Sequence, residues 1–236
     1  MRRYLAEFIG TLLFVTAIFG AVLTQSDLAP LGIGAALIAL VYAGGHLSGA
    51  HFNPAVSVAV LLRGRLPLAD FAPYVAAQLL GGLLAYVLAL GMFGDQLDAL
   101  PAGLDLDGVV VAAFLSELVF TFALAWVVLN TATSRDHPVN SFYGLAIGLT
   151  VTTGAIAVGS ISGAAFNPAV VFALTVAGVL QWKWIWLYLL AQLLGGALAG
   201  LAFRVLEPPD AEVKEEPEDD LRRHGRERRQ SPFRRR

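Results

Sequence analysis

Ser48-Gly49-Ala50-His51-Phe52-Asn53-Pro54-Ala55 and Ser162-Gly163-Ala164-Ala165-Phe166-Asn167-Pro168-Ala169 are two copies of one motif, set 167 − 53 = 114 residues apart. The match continues downstream in the same register. Tyr74-Val75-Ala76-Ala77-Gln78-Leu79-Leu80-Gly81-Gly82 returns as Tyr188-Leu189-Leu190-Ala191-Gln192-Leu193-Leu194-Gly195-Gly196. Two long matches at one offset mark an internal duplication. In an apolar chain, a duplicated unit of this length points to a path through a bilayer.

The surroundings of both copies are apolar. The 236-residue chain is 57% hydrophobic and 14% charged, with a mean hydropathy of +0.68. A soluble domain of this size cannot bury that much apolar surface. Residues 207–236 hold nine acidic and nine basic side chains, leaving 18 − 9 = 9 and 16 − 9 = 7 for the first 206. The net charge of −2 thus averages two unlike regions and identifies no partner. Without cysteine there is no disulfide frame, thiol nucleophile or cysteine metal site. The opening run from Tyr4 to Leu23 exceeds a signal-peptide core of about 7–15 residues. It contains Glu7 and no small-x-small site follows it, so it reads as a first membrane span.

A bilayer core takes about 20 apolar residues per helix. Six stretches qualify, near 4–24, 32–48, 68–93, 108–130, 141–159 and 183–206. Two more, 54–62 and 168–178, have about half that length, and each begins at its Asn-Pro-Ala. Proline suits the first helical turn and asparagine suits the cap before it. Each motif therefore predicts the N-terminus of a half-length helix. Arg2, Arg3, Arg63, Arg65, Arg135, Arg204 and the arginine-rich tail fall on one side of the bilayer. Asp27, Asp95, Asp98, Asp105 and Asp107 fall on the other, with Lys183. The positive-inside rule then places both termini in the cytoplasm; the expected location is the plasma (inner) membrane. Three spans and one half-helix make a repeat, so the odd span number inverts the second copy. The fold class is an all-α membrane protein: six transmembrane helices and two half-helices in two inverted repeats, about 4–93 and 108–206, within a channel domain of residues 1–206. Inversion brings the two half-helix N-termini together near the midplane, where irregular backbone is tolerated only if protein buries it or water lines it.

Over residues 4–206 the sequence resembles the major intrinsic proteins, the aquaporins and glycerol facilitators. Two Asn-Pro-Ala motifs in this span order carry the resemblance. Ala6-Glu7-Phe8-Ile9-Gly10-Thr11, Ser116-Glu117-Leu118-Val119-Phe120 and His46-Leu47-Ser48 before the first motif add to it. The resemblance implies a passive channel with Asn53, Pro54, Ala55, Asn167, Pro168 and Ala169 at its centre. It also implies a homotetramer in which each chain encloses its own pore. Each half-helix N-terminus carries roughly half a positive charge. Two such ends aimed at one point repel cations, while the asparagine amides donate to a passing oxygen. The resemblance places a selectivity filter at Ile33, Ala155, Ala164 and Val170. Typical members have arginine directly after the second motif, where this chain has Val170. Water-selective relatives usually carry an aromatic ring and a histidine at the positions of Ile33 and Ala155. Four apolar side chains predict a wider, more hydrophobic opening. The default solute is water. The alternative is a broadened channel for glycerol, urea, ammonia, hydrogen peroxide or neutral metalloid acids. Against glycerol specificity, Val170-Val171-Phe172 stands where glycerol facilitators usually have an aspartate.

Acids inside spans are costly and mark function by default. Glu7 and Glu117 read as braces that accept backbone N–H groups from the loops into the half-helices, and Gln78 and Gln192 as partners of backbone nearby. His51 is expected to line or brace the cytoplasmic vestibule, with pH gating as an alternative role. Gly81-Gly82 and Gly195-Gly196 read as close-packing positions, and Trp182, Trp184 and Trp186 as interfacial anchors. The tail is blocky: residues 207–220 hold eight acids and one lysine, and 221–236 hold eight arginines and one glutamate. This composition predicts a disordered cytoplasmic segment, whose arginines could meet lipid headgroups or the acidic block. A secondary transporter is the competing reading, since transporters also use inverted repeats and broken helices. A non-conducting structural protein is a third. No nucleophile–base pair or metal cluster suggests an enzyme, and no cofactor or nucleic-acid partner is expected.

Overall fold

The computed structural model describes residues 1–98, 103–135 and 140–207. The charged segment 208–236 lies outside the described residues. The helices are α1 (Arg2–Leu23), α2 (Ala29–Ser48), α3 (Pro54–Arg63), α4 (Leu68–Asp98), α5 (Val110–Ala132), α6 (Tyr143–Ser162), α7 (Pro168–Val176) and α8 (Ile185–Leu206), with a 3-10 turn at Trp182–Trp184 before α8. Six are long and apolar enough to cross a membrane. The other two, α3 with 10 residues and α7 with 9, rise about 15 Å at 1.5 Å per residue, half of a hydrocarbon core.

The expected spans match these helices with small shifts at the ends. The third continues past 93 to Asp98 because Phe93 (φ −136°, ψ 24°) absorbs a kink rather than ending the helix. The fifth runs to Ser162, where Gly163 (φ 82°) closes it in the left-handed conformation, as Gly49 (φ 91°) closes α2 in the first repeat.

The repeats interlock. In each, the first span packs on the last: α1 on α4, α5 on α8. The half-helices cross over, so α3 packs on α8 and α7 on α4. Glycine pairs make these crossings close. Around Gly81 and Gly195 a Cβ would stand 2.5 Å from the Phe8 carbonyl and 2.6 Å from the Leu118 carbonyl. Their neighbours Gly82 and Gly196 face the Ala169 and Ala55 carbonyls of the half-helices. The expected close-packing role of both pairs is met at backbone distance.

The end opposite the termini is closed by a latch. Leu104 N donates to the Val179 carbonyl at 2.9 Å and Gln181 Nε2 to the Gly103 carbonyl at 2.7 Å. Lys183 Nζ reaches Asp105 at 2.9 Å and Asp107 at 2.8 Å, and the Trp184 indole donates to Asp105 at 2.9 Å. Hydrogen bonds from Lys183 and Trp184 hold the Asp105 carboxyl well below the usual carboxylate range. Trp184 is therefore a latch residue as well as an aromatic at a span end, while Trp182 and Trp186 stay exposed.

The end bearing the termini has its own clamp. Glu207, just past α8, accepts from Arg63 at 2.6 Å, Ser134 at 2.7 Å and the Arg135 backbone N–H at 3.1 Å. Arg63 ends α3, is buried, and lies 5.0 Å over the Phe203 ring. Burial would raise the Glu207 carboxyl, but the Ser134 and Arg135 hydrogen bonds and the Arg63 charge outweigh it and lower it to about 2 from 4.5. A carboxyl lowered on folding stabilises fully above its unfolded value and loses that contribution as pH falls through its folded value. The native chain should therefore melt above Glu207→Gln at neutral pH. The gap should close as pH falls from 4.5 towards 2, as read by thermal unfolding in detergent. A gap independent of pH would show that the clamp is not ionic.

Candidate transport pathway

The loops into α3 and α7 fold into matching, strained shapes. Ala50 (φ 50°) and Phe52 (φ 47°) in one loop, and Ala164 (φ 52°) and Phe166 (φ 48°) in the other, adopt left-handed backbone. Each such non-glycine residue costs on the order of 1–3 kcal/mol and persists only where its surroundings impose it.

Two buried carboxylates impose it. Glu7 Oε1 accepts from Ser48 Oγ at 2.6 Å and His51 N at 3.0 Å; Oε2 accepts from Phe52 N at 2.7 Å and Gln78 Nε2 at 2.8 Å. Glu117 repeats the pattern with Ser162 Oγ at 2.7 Å, Ala165 N at 3.1 Å, Phe166 N at 2.8 Å and Gln192 Nε2 at 2.8 Å. Both carboxylates and both glutamines are fully buried. The glutamines were expected to meet backbone; they bond the carboxylates instead, because the carboxylates take the backbone donors themselves. Gln78 also donates to Ser57 Oγ at 3.0 Å.

The loops aim their carbonyls across the pseudo-twofold axis. Asn53 Nδ2 donates to the Phe166 carbonyl at 2.9 Å, and Asn167 Nδ2 donates to the Phe52 carbonyl at 2.8 Å. Each asparagine oxygen caps its own half-helix, accepting from Ala55 N and Ala169 N at 2.9 Å. An amide has two N–H donors, so one remains on each asparagine after the cross-repeat bond. Sequence reasoning had both amides facing solute and did not foresee this tie.

Asn53 and Asn167 line a narrow cavity of about 70 Å³ together with Ile33, Ala155, Ala164 and Val170. The structure thus gathers all four expected filter positions and both motif asparagines around one space. It has room for several water molecules at about 10–15 Å³ each. Towards the termini it gives way to a vestibule of about 830 Å³, and Val41, His51, Val128 and Ile147 line both. His51 sits at this junction. Its Nδ1 lies 3.0 Å from Ser57 Oγ and its ring packs 5.2 Å from that of Tyr74. The second repeat has Ala165 and Val171 at the corresponding positions, so this polar pair belongs to one half of the path alone.

Sequence reasoning missed Tyr74 and Tyr188 as positioning residues. Their hydroxyls donate to the Ser48 and Ser162 carbonyls at 2.8 and 2.6 Å, pinning the ends of α2 and α6. The signal was present, since both tyrosines recur at the 114-residue offset.

Two half-helices meeting head to head within six spans, with a narrow cavity where they meet, define a membrane channel. The sequence comparisons agree, matching the Major intrinsic protein model over residues 1–203. This chain belongs to the major intrinsic protein family. It is 35% identical to Glycerol uptake facilitator protein-like 6 of Lactiplantibacillus plantarum, over 89% of this chain and 100% of that protein. It is 38% identical to Aquaporin TIP4-4 of Zea mays, over 86% of this chain and 85% of that protein. The solved structure of the aquaglyceroporin from Plasmodium falciparum shares the fold, with a TM-score of 0.75 at 23% identity over 88% of this chain and 97% of that one.

Proposed function

We propose that the chain is a passive channel for water whose arginine-free filter also admits other small neutral solutes, glycerol among them. The observation that carries this is the cavity itself. Two asparagine amides at the opposed helix N-termini supply donors, and Ile33, Ala155, Ala164 and Val170 supply apolar walls without a charge. Cation exclusion then rests on the two helix dipoles and the remaining amide N–H groups. A transporter would need an intramembrane acid free to bind a coupling ion. Glu7 and Glu117 each accept four hydrogen bonds from their own chain, which fills a carboxylate's acceptor sites.

The orientation in this reading has both termini in the cytoplasm. Arg2, Arg3, Arg63, Arg65, Arg135 and Arg204 cluster towards that end, and the other end carries Asp27, Asp95, Asp105 and Asp107 with Lys183. This reading also takes the channel to be a homotetramer, which the family resemblance supports, and to sit in the plasma membrane.

Stopped-flow light scattering on proteoliposomes tests the filter. The native chain should conduct both water and glycerol. Val170→Arg should cut glycerol flow by at least about tenfold, because a guanidinium there narrows the path and adds fixed donors, while water flow persists. Water flow without glycerol flow in the native chain would overturn the broadened filter but leave the channel. No flow of either would overturn the channel.

A further inference from the structure

We propose that His51 is a specificity residue whose Nε2 is a fixed hydrogen-bond acceptor, taking an O–H from each solute that passes between the narrow cavity and the vestibule. This deepens the channel reading and rests on it. Among the described residues that line the narrow cavity, His51, Asn53 and Asn167 are the polar ones, and the remaining side chains are apolar. Both asparagines turn their oxygens to their own half-helices, so towards a solute they offer N–H groups. A solute that moves off them towards the vestibule needs an acceptor for its own O–H, and His51 lines both spaces.

Which ring nitrogen accepts is set by the partner of the other. Nδ1 lies 3.0 Å from Ser57 Oγ. A hydroxyl has one hydrogen and two lone pairs. Gln78 Nε2 donates to one lone pair of Ser57 at 3.0 Å. The Ser57 hydrogen goes to the Asn53 carbonyl at 3.1 Å, four residues back on the same helix. The second lone pair then faces Nδ1, which must carry the ring proton. Gln78 cannot be turned over to relax this. Its Nε2 also donates to Glu7 Oε2 at 2.8 Å, and an amide oxygen there would oppose the carboxylate. The same tautomer aims the positive end of the imidazole dipole at the cluster that surrounds Glu7. Nε2 is left as a bare acceptor. It makes no hydrogen bond with the described residues, yet it is not sealed in protein. It stands beside Gly49 in the vestibule wall, 3.2 Å from where a Cβ on that glycine would be. The second repeat has Ala165 at the matching position, so this side-chain acceptor serves the inner side alone.

Two substitutions separate the two nitrogens. Glutamine sets its amide where Nε2 stands, and asparagine sets its amide where Nδ1 stands. In proteoliposomes of the full chain, His51→Gln should pass glycerol within about twofold of the native rate. His51→Asn should pass it about fivefold more slowly than native, the effect of one lost hydrogen bond. His51→Gln no faster than His51→Asn would overturn the proposal, and the reverse order would mark His51 as a brace of α3 through Ser57. A second readout needs neither variant nor conduction. In the native chain with isotope-labelled histidine nitrogens, NMR at mildly alkaline pH should find Nδ1 protonated and Nε2 bare. The His51 signals are assigned by their contacts with the Tyr74 ring, 5.2 Å away. A protonated Nε2 would overturn the proposal even if both variants failed to fold. A native chain that passes neither water nor glycerol would reject the channel reading itself, whereas failure of the acceptor site leaves native flow intact.

Discussion

Glu117→Ala should yield no folded channel. Its removal leaves Ser162 Oγ, Ala165 N, Phe166 N and Gln192 Nε2 without their acceptor in a fully buried site. Each stranded donor costs about 1–3 kcal/mol, against a whole-protein stability of about 5–15 kcal/mol. The same loop carries left-handed Ala164 and Phe166, whose strain the carboxylate offsets. Glu117→Gln should be milder but still damaging, because its amide nitrogen would oppose another donor on the Phe166 and Gln192 side. The melting temperature in detergent should order native above Glu117→Gln above Glu117→Ala, with the alanine variant aggregating or lacking a cooperative transition. An alanine variant that melts within about 2 °C of native would show that the carboxylate does not hold the loop. Glu7→Ala should behave alike, since Glu7 accepts the matching four bonds.

Gly196→Ala should disable the pore from outside it. A Cβ on Gly196 would run into the Ala55 carbonyl, with the Ala55 carbonyl carbon and Cα also within 3.3 Å. All three are backbone, so no side chain can rotate away. Helix α3 must move, and Asn53, which caps it, must move too. Overpacking of this kind costs about 1–3 kcal/mol and occasionally more. Water permeability should drop several-fold even in protein that still folds. The counterpart Gly82→Ala, whose Cβ would lie 3.0 Å from the Ala169 carbonyl, should be the gentler of the two. Equal or reversed effects in a parallel stopped-flow and melting series would show that the α3–α8 crossing is not the tighter one.

Much of the fold was legible because two signals reinforced each other. Hydropathy located the six spans and two apolar stretches too short to cross, and the 114-residue offset matched those two as copies of one unit. Helix ends were less legible. Nothing in Phe93 announces a kink that lets α4 continue, and Gly163 reads as a terminator only once its match to Gly49 is noticed. Glu7 and Glu117 drew attention because acids are rare in spans. Their exchange of four donors apiece was out of reach, because it depends on which left-handed backbone the loops adopt. The cross-repeat bonds from Asn53 to Phe166 and from Asn167 to Phe52 join residues 113 and 115 positions apart through main-chain carbonyls, which leave no trace in side-chain identity. The latch at Asp105 and Lys183 was half visible: the charges were noted, but not the turn that brings them together.

The crossing of α3 onto α8 sets an order on biosynthesis. These helices are 185 − 63 = 122 residues apart in the chain. At about 5–20 residues per second, the ribosome needs roughly 6–24 s to reach the first residue of the partner that α3 requires. During that interval the first half-helix is an apolar segment too short to span and without its final seat. The nascent protein must shelter it until the last span is threaded, so any delay in inserting α8 prolongs exposure of the Asn53 loop to quality control.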